Sequence, residues 1–197
     1  MADRVILAAR SAIELAPGRS GAAAAAPGVS VALIAPRLAS VIAGKGAAAL
    51  FQDICQRVWG FAPPVGPHGA ANAGRTILGV GPGRFLFVDQ TNDGAWPSDL
   101  ASALDGVAAV CDQSDGYAIF EIGGVAARLV LAQGAPVDLH PAAFAADGVA
   151  VTTLAHMGAV IWRADDAFRI AVFRSHAGSF WTWFTASAAE YGLDTRA

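Results

Sequence analysis

The sequence predicts an α+β fold made of two ferredoxin-like (split βαβ) halves with mainly antiparallel sheets. Three observations carry the prediction. Short runs of alternating apolar residues recur along the chain. Stretches of helical period separate them. The resulting order, β-α-β-β-α-β, occurs twice. The 197 residues suit one sizeable domain of two closely packed halves. The expected limits are a flexible or extended N-terminal arm over 1–28 and a single domain over 29–197, with halves at about 29–113 and 114–197. The halves share no obvious sequence identity, so the repeat rests on element order alone.

The arm is rich in Arg, Ala, Gly and Pro and weakly periodic, and disorder is expected over about residues 1–25. Residues 29–34 alternate as a strand. Residues 46–59 are helical, with Ala49, Leu50, Phe51, Ile54 and Val58 on one broad stripe. A loop with Pro63, Pro64 and Pro67 follows. Residues 76–80 and 85–89 read as a hairpin turned at "GPGR". A short helix at 97–104, with Trp96 packed before it, and a strand at 107–112 close the first half. The second half has a strand at 117–122, a helix at 126–133, and strands at 149–155, 159–163 and 168–173. Turns are expected at Gly158 and at Asp165–Asp166. A closing helix covers 175–190, with Ser175 as its N-cap.

Composition narrows the function classes. The chain is 55% hydrophobic and 15% charged, with a net charge of −3. So apolar a surface suggests cover by a partner. There is no basic run, so nucleic acid is not an expected partner. There is no long uninterrupted apolar span, so a membrane is not one either. Cys55 and Cys111, isolated and without metal spacing, fit a reducing cytoplasm.

The densest candidate chemistry lies in "LVLAQGAPVDLHPAAF", residues 129–144. Asp138 and His140 could polarise one another as an acid–base pair. Alternatively Gly134 takes the left-handed position after a helix, Pro136 blocks continuation, and Asp138 caps the next turn with Pro141 early in it. The capped turn is the preferred reading. "GVGPGR" lacks the strand-to-helix context of a phosphate loop and reads as a hairpin. His68, His140, His156 and His176 show no metal-ligand spacing, and there is no nucleophile elbow. On the last helix Phe180, Trp183 and Phe184 share a face, continued by Tyr191. Trp181 points elsewhere and is either core or a contact residue.

"GPGRFLFV", "VCDQSDGYAIFEIGGVAARLVLAQGAPVDLHPAAF", "TTLAHMGAVIWR" and "FRIAVFRSHAGSFWTWF" together resemble the gamma subunit of heterotetrameric sarcosine oxidase. The resemblance spans roughly residues 79–184. It is strongest at Asp112–Gly116 and Pro136–Pro141; the first 75 residues match only in element order. That family is similar in fold to the folate-binding aminomethyltransferase domain of the glycine-cleavage T-protein. The resemblance implies a cytoplasmic complex that oxidatively demethylates sarcosine to glycine and passes the one-carbon unit to tetrahydrofolate. FAD, FMN, NAD and tetrahydrofolate are implied for the partner subunits, which are alpha, beta and delta, with the flavins and the folate site on alpha and beta. This chain would carry no catalytic, cofactor-binding or metal residues and would serve assembly, with Trp181, Asp138 and His140 as candidate interface residues. Gln133-Gly134-Ala135 stands where related folate-dependent proteins carry Lys-Gly-Cys, so their thiol chemistry does not transfer.

Two other readings compete. A free-standing folate-binding or aminomethyltransferase-like protein needs a buried carboxylate facing a pterin-sized apolar pocket. Asp112, Asp115 and Glu121 are the carboxylates that test it. The third is an interaction module with no link to amine oxidation.

Overall fold

The computed structural model describes residues 10–21, 27–91 and 96–196. Two sheets lie face to face, each covered outside by a pair of helices. The first half is β3 (Arg37–Ala43), α1 (Ala48–Trp59), β4 (Gly69–Asn72), β5 (Arg75–Gly81), β6 (Arg84–Asp89), α2 (Ser98–Ala103) and β7 (Ala108–Asp112). The second is β8 (Tyr117–Gly123), α3 (Ala127–Ala132), β9 (Val149–Leu154), β10 (Met157–Ala164), β11 (Ala167–Phe173), α4 (Ala177–Ala188) and β12 (Leu193–Arg196). Two more strands, β1 (Gly18–Ser20) and β2 (Val29–Ile34), precede them.

The sheet orders are β4-β5-β6-β3-β7 and β9-β10-β11-β8-β2-β12-β1. The two halves therefore repeat in space as well as in order, with one exception. Where β3 pairs directly with β7, β2 wedges between β8 and β12, antiparallel to β8 and parallel to β12. This corrects the sequence reading of residues 29–34 as the opening strand of the first half. That role belongs to β3, and β2 completes the other sheet.

Period-2 alternation sorts the core into three layers. Leu38, Leu78, Leu86 and Val88 pack between the sheets against Ile119, Val160, Trp162 and Ala171. Their neighbours Ala39, Val41, Ile77 and Phe87 face α1 and α2. Phe120, Ile122, Ile161 and Ile170 face α3 and α4, where Phe180 and Phe184 are fully buried. Burying each such side chain contributes about 1.5–3 kcal/mol.

Several elements differ from expectation. The buried stripe of α1 is Phe51, Ile54, Cys55 and Trp59, whereas Leu50 and Val58 are 51% and 44% exposed. The closing helix enters through a 3₁₀ turn at Arg174–His176 with no side-chain cap, so Ser175 is not its N-cap. The β9–β10 turn is Ala155–His156, both at positive φ, and Gly158 lies within β10. Part of the expected arm, residues 10–21, is tied down: β1 pairs with β12 and Ala12 and Ile13 pack on the core. Residues 1–9 and 22–26 lie outside the described residues.

Candidate functional site

The Asp138–His140 question is settled by hydrogen bonds. The His140 backbone N–H donates to Asp138 Oδ1 at 2.8 Å, and the Ala142 N–H donates to His140 Nδ1 at 3.2 Å. Both side chains cap successive backbone donors of one turn, and both are exposed. Leu139 between them is buried and anchors the turn to the core. Gly134 is not in the left-handed region. Its lack of a side chain permits a close approach instead: a Cβ there would stand 2.5 Å from Trp183 Cζ2 and 3.1 Å from the Ala155 nitrogen. Gly134, His156 and Trp183 border a shallow cavity of about 500 Å³. Trp183, read as core, is only half-buried; Trp181 is half-buried as well and stacks on Phe184 at 6.3 Å.

The three test carboxylates do not converge. Asp112 Oδ1 accepts from the Ser114 N–H at 2.9 Å and its hydroxyl at 2.7 Å. Ser114 Oγ in turn accepts the Leu38 N–H at 3.0 Å. The strongest family-like segment is thus a staple joining the end of β7 to the start of β3. Asp115 is exposed beside a cavity of about 370 Å³. Glu121 pairs with Arg169 at 2.8 Å, and Arg169 reaches across to Gln90 Oε1 at 2.9 Å, linking the two sheets.

The buried carboxylate is one that sequence reasoning missed. The side chain of Asp89 is 1% exposed and stands 3.1 Å from Arg37 Nη2 and 3.8 Å from Arg75 Nε. Thr91 donates to it through its N–H at 2.9 Å and its hydroxyl at 2.7 Å. The guanidinium of Arg37 lies 6.0 Å from the Trp96 ring, and that of Arg75 lies 5.7 Å from the Trp59 ring. Asp89-Gln90-Thr91 and Asp112-Gln113-Ser114 are the same turn at the ends of the two strands that flank β3. The cavity beside Asp89 measures about 270 Å³, at the small end for a ligand, and the carboxylate is occupied by its arginines. The shared D-Q-[ST] pattern was the available signal.

One concavity is apolar. It measures about 690 Å³ and lies between α1, the Pro63–Pro67 loop, the β5–β6 hairpin and Val151 of β9. Gln52 is the single polar side chain among its described lining residues. A second groove, of about 620 Å³, is polar and runs along Arg75, Gln90, Asp147, Arg163 and Arg169. Among the described residues no group of three or more His, Cys, Asp or Glu side chains could hold a metal ion. No helix among them is long and apolar enough to cross a membrane.

The cysteines are both free, Cys55 buried and Cys111 exposed. Burial raises the Cys55 thiol from its ordinary 9.0 to about 12. A thiol reagent at neutral pH is expected to label one cysteine per native chain, Cys111, and both after unfolding; equal native rates would contradict the burial. Below about pH 9 folded and unfolded chains both keep the Cys55 proton. Between 9.0 and about 12 the unfolded chain releases it while the folded chain holds it. Stability therefore falls as pH rises through that window, and Cys55→Ala is expected to flatten the fall.

Comparisons with known proteins extend this picture. The model of a family described as "Sarcosine oxidase, gamma subunit family" matches residues 44–190. The sarcosine oxidase subunit gamma of an Arthrobacter species is 35% identical over 108 residues, 54% of this chain and 53% of that protein. Its counterpart from Corynebacterium sp. strain P-1 is 35% identical over 109 residues, again 54% and 53%. The chain thus spans about half the length of the curated relatives it matches. Among solved structures, a chain of the heterotetrameric sarcosine oxidase from Corynebacterium sp. U-96, solved with pyrrole 2-carboxylate, superposes with a TM-score of 0.74 at 25% identity. That match covers 83% of this chain and 85% of that one. The glycine cleavage system aminomethyltransferase T from Bartonella henselae superposes with a TM-score of 0.62 at 14% identity, over 86% of this chain and 48% of that one. This second likeness is one of fold.

Proposed function

The chain belongs to the sarcosine oxidase gamma subunit family, and on that premise we propose that it is a non-catalytic subunit of a heterotetrameric sarcosine oxidase. The complex demethylates sarcosine oxidatively to glycine and delivers the one-carbon unit to tetrahydrofolate. FAD, FMN, NAD and the folate are held by the partner subunits, the flavins and the folate site by alpha and beta, with delta as a further partner, and the assembly works in the cytoplasm. This chain holds the flavin-bearing subunits together. The observation that carries the reading is the superposition, over most of both chains, on a chain of a solved heterotetrameric sarcosine oxidase.

The site geometry supports it. The polar groups with the most specific environments, Asp89 and Asp112, are engaged in holding β3 to its neighbours. The concavity beside α1 is apolar, which suits docking better than proton transfer. In this reading Trp181 and the Asp138–His140 turn contact partner subunits.

Co-expression of the flavin-bearing subunits with and without this chain tests the proposal. Omission is expected to reduce recovery of the assembled complex and its sarcosine-dependent hydrogen peroxide release at least tenfold. Full assembly and activity without the chain would contradict it.

A further inference from the structure

The apolar concavity has features of a seat for a polypeptide more than for a small molecule. A ligand pocket combines apolar walls with a few convergent polar groups that fix orientation. Here Gln52 is the single polar side chain among the described lining residues. One wall is Pro63-Pro64-Val65-Gly66-Pro67, whose prolines restrict backbone φ before anything docks. Ordering costs on that side are therefore small. The wall is braced from behind, since Gly79 donates its N–H to the His68 carbonyl at 2.8 Å. Val65 is 83% exposed and Val151 59% exposed, and both line the concavity. Leu50, 51% exposed, stands on α1 beside the lining residue Phe51.

The rim is charged with one sign at one end. Lys45 lies between the lining residues Ala43 and Ala48, and Arg84 between Gly83 and Phe85. The Ala43 N–H donates to the Gly83 carbonyl at 2.9 Å, which brings these two stretches together. Both side chains are exposed, and among the described residues neither makes an ion pair or hydrogen bond. Residues 54–88 contain no Asp or Glu; Asp53 on α1 is the carboxylate nearest in sequence to the lining. The surroundings call for an apolar occupant with negative charge where it meets Lys45 and Arg84.

We propose that this groove seats an apolar segment of a partner oxidase subunit, flanked by one or more carboxylates that pair with Lys45 and Arg84. The proposal rests on the reading of the chain as an oxidase subunit and names the surface that does the work.

The test uses the co-expressed complex. Val65→Asp, Val151→Asp and the double reversal Lys45→Glu/Arg84→Glu are compared with wild type and with Val125→Asp. Val125 is 95% exposed near α3, on the helical layer of the other sheet. All five positions are exposed, so each variant chain is expected to keep its fold, checked by circular dichroism. The valine variants are expected to weaken association with the partner subunits at least tenfold. The charge reversal is expected to weaken it several-fold at low salt and less at high salt. Val125→Asp is expected to leave it unchanged. If wild type assembles and the valine variants assemble equally well, the groove is not the seat, while the subunit reading stands. If wild type does not associate with the flavoprotein subunits at all, the subunit reading itself fails. A homodimer of this chain broken by Val65→Asp would also overturn the proposal, because a second copy would then fill the groove.

Discussion

Asp89→Ala is expected to destabilise the chain by about 3–5 kcal/mol, the cost of breaking ion pairs whose shared carboxylate is buried. For a domain of this size that lowers the midpoint of thermal unfolding by roughly 6–20 °C. The carboxylate is 1% exposed, and three side chains depend on it. Arg37 lies directly opposite it on β3. Arg75, in register on β5, loses its nearest counter-charge. Thr91 loses the acceptor for both its N–H and its hydroxyl. Asp112→Ala removes the sister turn, but that carboxylate is exposed. Its loss is expected to cost about 1 kcal/mol or less. Chemical denaturation of both variants reads the contrast directly. Equal losses would mean that the pairing of Asp89 with Arg37 and Arg75 contributes nothing beyond the turn.

Gly79→Ala should be nearly as damaging, for a steric reason. A Cβ on Gly79 would stand 2.0 Å from the Gly66 carbonyl oxygen and 3.4 Å from the His68 oxygen. Both obstacles are backbone, so no side-chain rotation relieves the clash. The 66–68 loop must move off β5, and the Gly79 N–H to His68 bond goes with it. Overpacking together with the lost bond is expected to cost about 3 kcal/mol. The displaced loop is the proline wall of the groove, so partner association should weaken even where the chain remains folded. Gly106→Ala is the control: a Cβ there meets nothing within 4 Å and the residue lies outside the groove, although its φ of +70 carries a strain of its own, about 1 kcal/mol. Association as tight as wild type in folded Gly79→Ala would separate the wall from docking.

β6 and β8 are also buried on both faces, but as runs of aromatic and large aliphatic residues bounded by turn signals, "RFLFVD" and "YAIFEIG", they were legible in the sequence. β3, "RLASVIA", is likewise buried on both faces over much of its length, but Ala39 and Ser40 interrupt its apolar run, and it escaped notice. β4, "GAAN", contains no β-branched residue, and β12, "LDTR", is short and polar; sheet context makes them strands. Missing β3 led residues 29–34 into the wrong sheet. The capped turn at Asp138–His140 could be read locally because its donors lie within two residues of their acceptors. The Asp89 cluster could not, since Arg37 is 52 residues away from its acceptor. The groove was equally hidden. Its walls come from α1, a loop, a hairpin and a strand of the other sheet, and their proximity exists only in the folded chain.

Native mass spectrometry of the complex purified through a tag on this chain, with an absorbance spectrum of the same sample, tests the central claim most directly. The account predicts one copy of this chain bound to larger flavin-bearing subunits, in a sample that releases hydrogen peroxide when sarcosine is added. A colourless chain alone, with an intact and active flavoprotein complex left in the unbound fraction, would contradict it.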